Sequence, residues 1–186
     1  MSKYVGVIAE DISDVDVINE IIAKVTNRNN FKIKKFIGHG CGKVLGKCHD
    51  WARNLKIKKC TLLIIIHDLD TNNLATLRKE LGQALSPSPI VNNIIVIPIR
   101  EIEAWLLADH LAINKTFGIK LNKVPNPESI IRPKEHLKRL VYLKSMKRKI
   151  YINSAHNKKI AANATLKNFS RCKSFIPLND FLVNVF

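Results

Sequence analysis

Apolar residues recur along the first 114 residues in two alternating patterns. Four short runs have the length and composition of strands: residues 4–9, 31–37, 61–66 and 90–97. Apolar residues recur at helical spacing in four further segments: residues 17–25, 51–55, 72–85 and 101–111. Strands separated by helical crossovers predict an α/β fold, with a mostly parallel sheet of about four strands and helices on both faces.

The strand-like runs differ in how apolar they are. Residues 61–66 form the most apolar run and are predicted to be a central strand, because both faces of such a strand are covered by helices. Residues 31–37 alternate apolar side chains with lysines, which is typical of a more peripheral strand. Ser13 and Asp14 are candidate N-caps for the first helix.

The pattern weakens after Asn114. A connection rich in Pro and Asn leads to Pro133, a helix is predicted over residues 133–143, and basic, partly helical segments follow to Phe186. We therefore predict an α/β domain over residues 1–114 and a basic, mainly helical C-terminal extension over residues 115–186 that packs on it. No internal repeat is found.

Composition narrows the class of protein. Hydrophobic residues make up 46% of the chain, which is enough for a core, but no apolar run approaches the roughly 20 residues that cross a bilayer. The first residues lack the features of a signal peptide. The four cysteines are irregularly spaced and predict no disulfide framework, so we expect a cytoplasmic protein without a membrane partner.

The charge balance indicates a polyanionic partner. The chain has 31 Lys and Arg against 15 Asp and Glu, a formal net charge of +16. Between residues 132 and 173 Glu135 is the only acid, so the charge predicts binding of DNA or RNA by the C-terminal third. Lys134, His156 and Lys159 are the candidate phosphate contacts. A composition rich in lysine throughout remains the alternative explanation.

Acidic residues follow three of the predicted strands. Glu10 follows the first, Asp68 and Asp70 follow the third, and Glu101 and Glu103 follow the fourth. Ligands of open parallel sheets bind at the carboxyl ends of the strands, where these side chains would meet. Hard cations such as Mg²⁺ would neutralise them, and two such ions could activate water against a phosphate. Capping of the following helices is the alternative role, above all for Asp11 and Asp14.

Five segments carry a resemblance to a known group. Residues 7–14 (Val-Ile-Ala-Glu-Asp-Ile-Ser-Asp) resemble the glutamate motif of Toprim domains, and residues 64–70 resemble the Toprim Asp-x-Asp motif. Residues 98–109 look like a sequence characteristic of small stand-alone Toprim proteins related to the OLD (overcoming lysogenisation defect) nucleases. Residues 133–135 and 171–175 also resemble that group, so the likeness spans nearly the whole chain.

The resemblance implies a Toprim/Rossmann-like fold and a nuclease. It implies that Glu10, Asp68, Asp70 and Glu103 are catalytic ligands of Mg²⁺ or Mn²⁺. Lys134 is a further catalytic candidate, because a basic side chain could neutralise charge in the transition state. It further implies a role in defence against phage with a partner ATPase. The sequence departs from the group where Asp11 replaces the usual glycine and where His67 precedes the first aspartate.

Two other functions stay open. A nucleic-acid-binding or adaptor module with a degenerate Toprim site would bind without metal-dependent turnover, and a phosphoesterase would act on small phosphate esters. The sequence does not choose between DNA and RNA or indicate an oligomeric state.

Further residues have competing roles. Asp109 is either a more distant ligand or a solvated helix acid, and Trp105 is expected in the core rather than stacked on a base. A zinc site built from residues 39, 41, 48 and 49 is disfavoured, because their spacing matches no common zinc finger.

Overall fold

The computed structural model describes residues 3–27, 31–38 and 41–186, with the side chain of Cys41 left aside. Its centre is a four-stranded sheet of β1 (Lys3–Ala9), β2 (Phe31–Ile37), β3 (Leu62–Ile66) and β4 (Asn92–Val96). All neighbouring strands are parallel, in the order β2-β1-β3-β4. The predicted sheet is confirmed, with the apolar β3 inside it and the lysine-rich β2 at an edge.

The helices connect the strands and then form the C-terminal part of the chain. Their bounds are α1 (Ile12–Val25), α2 (Cys41–Ile57), α3 (Leu74–Leu85), α4 (Glu103–Leu107), α5 (His110–Phe117), α6 (Pro133–Lys144), α7 (Asn153–Asn163), α8 (Leu166–Phe169) and α9 (Ile176–Val185). A short 3₁₀ turn spans Pro127–Ser129. No helix in the described part of the chain is both long enough and apolar enough to span a bilayer.

The sheet separates two hydrophobic cores. Alternating side chains of a strand point to opposite faces, so on β3 Leu63 and Ile65 pack against α2 and α3, whereas Ile64 and Ile66 pack in the larger core with α1 and the later helices. Each fully buried aliphatic side chain stabilises the fold by about 1.5–3 kcal/mol relative to an exposed one. The later helices complete the second core, because their buried side chains lie in the same cluster as those of β1, β3 and α1.

One predicted helix is interrupted. Residues 101–111 were expected to be continuous, but α4 ends at Leu107 and α5 begins at His110. The cause is Asp109, whose Oδ1 accepts from the Ala112 amide (3.1 Å) as N-cap of α5 and whose Oδ2 accepts from the Thr165 amide (2.9 Å). The domain boundary predicted at residue 114 falls inside α5.

Candidate functional site

The acidic residues that follow three separate strands meet in one cleft at the carboxyl edge of the sheet. The cleft has a volume of about 290 Å³ and its lining includes all five predicted catalytic residues. The lining residues are Glu10, Asp11, Ser13, Asp14, Asp68, Asp70, Glu101, Glu103, Lys134 and Asn153. Seven of these ten carry a carboxylate, so the cleft is strongly acidic although the chain as a whole is basic.

The first group of acids lies where β1 passes into α1. The N-cap of α1 is Asp11, rather than the predicted Ser13 or Asp14, and its Oδ1 accepts from the Ser13 amide at 2.8 Å. Asp14 completes a capping box, because its Oδ2 accepts from the Asp11 amide at 3.1 Å. Asp11 and Asp14 therefore both cap α1, as the alternative role predicted, but both also line the cleft.

The second group is held by backbone bonds that continue the β3–β4 pairing beyond the strands. The Leu69 amide donates to the Pro98 carbonyl (3.0 Å) and the Asp70 amide to the Arg100 carbonyl (2.8 Å). Asp70 and Arg100 both have left-handed backbone, with φ of 48° and 66°. For non-glycine residues this conformation costs on the order of 1–3 kcal/mol, and such strain is concentrated at functional sites. The arrangement fixes Asp70 beside the segment that leads to Glu103.

Asp68 is tied to the start of α4. Its Oδ1 accepts a hydrogen bond from the Ile102 amide at 3.0 Å. Because Ile102 directly precedes Glu103, this bond sets the position of one acidic group relative to the other.

Glu103 is buried against the C-terminal helices. Its Oε1 accepts from the Tyr151 hydroxyl (2.8 Å) and from Nδ2 of Asn157 (3.2 Å), and the Tyr151 hydroxyl also contacts Oδ1 of Asn157. All three residues are at most 3% exposed. Burial, followed by the charge of Glu103, raises the pKa of Tyr151, which stays a neutral donor.

The C-terminal helices also supply polar groups to the cleft. The Lys134 amide, in the first turn of α6, donates to Oε2 of Glu101 at 2.7 Å, and Lys134 itself lines the cleft. Nδ2 of Asn153, at the start of α7, donates to Oγ of Ser13 at 3.3 Å. Both contacts join the extension to the edge of the sheet.

Crowding of the carboxylates shifts their protonation. Burial, together with the charge of Glu103, raises the pKa of Asp14 from 3.8 to about 8. Burial and the charges of Asp14 and Glu103 raise the pKa of Asp68 well above its ordinary value. The pKa of Asp70 rises for the same reasons, with Glu10 as the main neighbouring charge. The cleft therefore holds its negative charge at a cost that a bound cation would remove.

His67 lies against Glu10. Its Nδ1 is 2.8 Å from Oε1 of Glu10 and 2.8 Å from the Asp68 carbonyl oxygen. The contact pairs the imidazole ring with the carboxylate of Glu10. Burial lowers the pKa of His67, but contact with Glu10 and with the Asp68 carbonyl outweighs this effect and raises the pKa overall.

The donor set fits a hard divalent cation. Carboxylate oxygens are the ligands that Mg²⁺ and Mn²⁺ prefer, and seven carboxylates line the cleft. Across residues 3–27, 31–38 and 41–186, no three His, Cys, Asp or Glu side chains form a finished metal site. Binding would therefore require the carboxylates to turn toward the ion.

Comparison with known families places the chain in one of them. Residues 9–182 match the family described as "Domain of unknown function (DUF4276)". The chain belongs to that family. No curated protein and no solved structure matches it. Since the description of DUF4276 names no activity, any function has to be argued from the cleft.

Two of the predicted nucleic-acid contacts lie outside the lining of the cleft. His156 is half-buried on α7, with its ring 4.8 Å from that of Phe117, and Nδ1 accepts from the Ile152 amide at 3.0 Å. Lys159 is exposed further along α7. Of the three predicted phosphate contacts, Lys134 alone lines the cleft.

Three other residues have structural roles. Asp109 is 2% exposed and caps α5, so it is neither a ligand in the cleft nor a solvated acid. Trp105 is fully buried, as expected, and its Nε1 donates to Oγ of Ser174 at 2.8 Å. Cys48, from the disfavoured zinc set, lies on α2 and is buried in the core between α2 and the sheet. His39 and the side chain of Cys41 lie outside the described residues.

Sequence reasoning missed the polar residues that support Glu103. Tyr151 and Asn157 lie 48 and 54 residues after Glu103, on segments whose pattern gives no sign of a shared site. Asn153 also enters the cleft from that region. Asp14 and Glu101, by contrast, were recognised among the acids near the strand ends, but neither was predicted to be a ligand.

Proposed function

We propose that this protein is a Mg²⁺- or Mn²⁺-dependent nuclease of the Toprim and OLD type, which hydrolyses phosphodiester bonds in DNA or RNA. The main support is that Glu10, Asp68, Asp70 and Glu103, which follow three different strands, line one cleft. Among the ion pairs of the described residues, none joins these carboxylates to lysine or arginine. Their repulsion is therefore left for another cation to relieve.

In the proposed mechanism these four carboxylates hold the metal. When bound, one or two divalent ions would polarise the phosphate and lower the pKa of a bound water. Lys134 supplies positive charge at the same cleft, where it can bind a phosphate oxygen. Asn153 and Ser13 add neutral hydrogen-bond donors, and Tyr151 and Asn157 hold Glu103 in place.

The proposed cellular role rests on the resemblance of the sequence to the Toprim proteins related to OLD nucleases. We propose a cytoplasmic effector in defence against phage, working with a partner ATPase. The net charge of +16 supports nucleic acid as the substrate, because long-range attraction to a polyanion does not depend on its sequence.

The experiment is a cleavage assay combined with a soaked crystal. Labelled single-stranded and duplex DNA and RNA are incubated with Mg²⁺, Mn²⁺ or EDTA, and a small phosphate ester serves as a parallel substrate. We expect cleavage of a polynucleotide that EDTA abolishes, and Mn²⁺ density between residues 10, 68, 70 and 103. Hydrolysis of the small ester alone would instead support the phosphoesterase.

A nucleic-acid-binding module with a degenerate site is the second candidate. Two observations favour it: the carboxylates of the described residues form no finished metal site, and His67 already lies against Glu10. A protonated His67 would neutralise part of the charge without any metal. This candidate predicts salt-sensitive binding of nucleic acid with no cleavage in either metal and no Mn²⁺ density in the cleft.

A further inference from the structure

A second strongly basic surface lies away from the C-terminal third. Residues 31–59, which comprise β2, α2 and the turn after it, contain nine Lys and Arg and a single acid, Asp50. All of these cations except Lys34 are exposed, and no ion pair to them is found within the described part of the chain. A second concentration of positive charge therefore lies at the β2 edge of the sheet and on α2.

This surface contains a shallow depression with an aromatic wall. The depression has a volume of about 400 Å³ and is lined by Lys47, Asp50, Trp51, Arg53, Asn54 and Ile57 of α2. The indole of Trp51 is stacked on Phe36, with ring centroids 5.4 Å apart and planes 3° from parallel. Ile57 is 77% exposed. A flat ring and an exposed aliphatic side chain are thus combined with two cations.

The fold requires only part of this combination. α2 packs on the sheet through Val44, Cys48, Ala52 and Leu55, each fully buried. Trp51 is half-buried and packs at the edge of that core, whereas Ile57 is exposed beside the cations. The open part of an aromatic ring and an exposed aliphatic side chain among cations point to a ligand that has both a flat apolar part and negative charge.

We propose that this α2 surface binds single-stranded nucleic acid, with one base against Trp51 and Ile57 and neighbouring phosphates on Lys47 and Arg53. Unpaired bases expose their flat faces, whereas a duplex hides them in the stack. The surface lies outside the catalytic cleft and adds a binding site to the proposed nuclease.

The surface is connected to the cleft through the edge of the sheet. The Gly38 amide at the end of β2 donates to the Ala9 carbonyl at 2.8 Å, directly before Glu10. From there α2 runs back along the sheet, and a rise of 1.5 Å per residue places Trp51 roughly 15 Å from its first residue.

The test uses the full chain without metal, so that no cleavage occurs. A short oligothymidylate is added while the tryptophan emission is recorded, and anisotropy of a labelled copy gives the affinity. The chain has two tryptophans, and Trp105 is fully buried. We expect the oligonucleotide to quench the emission of Trp51, and Trp51→Leu to abolish this change and weaken binding roughly 5- to 150-fold.

Charge variants separate this surface from a general effect of net charge. The double variant Lys47→Gln/Arg53→Gln is expected to reduce the slope of log affinity against log salt by about 1.4, or about 0.7 for each lost contact. The matched control, Lys115→Gln/Lys120→Gln, removes the same charge from exposed positions of another region and should keep the slope. If Trp51→Leu does not fold by circular dichroism, the two double variants decide.

Three results would overturn the inference. They are unchanged tryptophan emission on adding the oligonucleotide, equal weakening by both double variants, and equal quenching by duplex DNA or by polyglutamate. Since metal is absent, the result is independent of catalysis. A wild-type chain that binds at Trp51 but never cleaves would remove the proposed nuclease and leave this site in place.

Discussion

The two walls of the cleft have opposite chemistry. The wall formed by the strand ends carries Glu10, Asp68 and Asp70, and burial together with neighbouring charges raises the pKa of both aspartates. The wall formed by the later helices carries Lys134 and Asn153, a cation and a neutral donor. A cation would neutralise the first side and an anion would fit the second, which is the arrangement that the proposed metal-dependent cleavage of a phosphodiester requires.

The walls are also held in different ways. Backbone bonds fix the strand wall, because the loops after β3 and β4 stay paired as far as Asp70 and Arg100. Side chains fix the helical wall, through contacts such as that of Tyr151 with Glu103 across 48 residues of sequence. Substitutions in the strand wall should therefore abolish metal-dependent cleavage. Substitutions in the helical wall should have smaller effects, on the affinity for metal or nucleic acid.

Loss of a strand-wall acid should have the largest effect. We expect Asp68→Ala or Glu10→Ala to reduce metal-dependent cleavage by at least about 10³-fold, because metal ions contribute several kcal/mol and each 1.36 kcal/mol is tenfold in rate. Anisotropy should show that binding of nucleic acid is largely retained. Glu80→Ala, at an exposed acid on α3, is the control. Wild-type cleavage by both cleft variants would remove the proposed function.

The raised pKa of Asp14 predicts an unusual dependence of stability on pH. Between about pH 4 and pH 8 the folded metal-free chain keeps a proton that the unfolded chain has released. The stability that this proton contributes is complete below the ordinary pKa of 3.8. It is lost as pH rises through the pKa of the folded chain, about 8. The free energy of unfolding should therefore fall by a few kcal/mol over this window, as measured by denaturant titration.

Asp14→Asn sharpens this prediction, because the amide keeps an acceptor for the Asp11 amide but cannot ionise. The slope of unfolding free energy against pH should become flatter in this variant. Saturating Mg²⁺ should flatten it in the wild type. A wild-type slope that neither change alters would mean that the cleft carboxylates do not repel one another as the structure indicates.

Removal of a donor to Glu103 should weaken metal binding without abolishing it. We expect Tyr151→Phe or Asn157→Ala to reduce the affinity for Mn²⁺ about 10- to 100-fold, since groups that orient a ligand typically contribute that much. Calorimetric titration of Mn²⁺ gives the value independently of catalysis. The control is Tyr142→Phe, at a tyrosine that is 40% exposed on α6. Equal affinities would show that Glu103 needs no support from the extension.

The smallest effect is expected at Lys134. Lys134→Gln should weaken nucleic-acid binding in EDTA and reduce the salt slope by about 1, as for one lost phosphate contact. Lys138→Gln, one turn later at an exposed lysine whose Nζ is 3.9 Å from Glu135, changes the charge equally and should change the slope less. Equal salt slopes for the two variants would show that Lys134 does not contact a phosphate of the nucleic acid.

The sheet was predictable because its signal is local. A run such as residues 61–66 shows in a few adjacent positions that both faces are buried, and the lysines of β2 mark an edge in the same way. The break at Asp109 was not predictable, because the partner of its second oxygen is Thr165, far along the chain. Helical spacing alone gave no reason to end α4 at Leu107.

The sequence by itself determined the parallel sheet and which strands are central or peripheral in it. It also determined that acids follow three strands, since the carboxyl ends of parallel strands lie at one edge of the sheet. Only the tertiary structure decided that Asn153 joins them and that Tyr151 and Asn157 hold Glu103. Those contacts depend on how α6 and α7 pack against α1 and α4. Packing between distant segments is a property of the whole core, and no local pattern of residues encodes it.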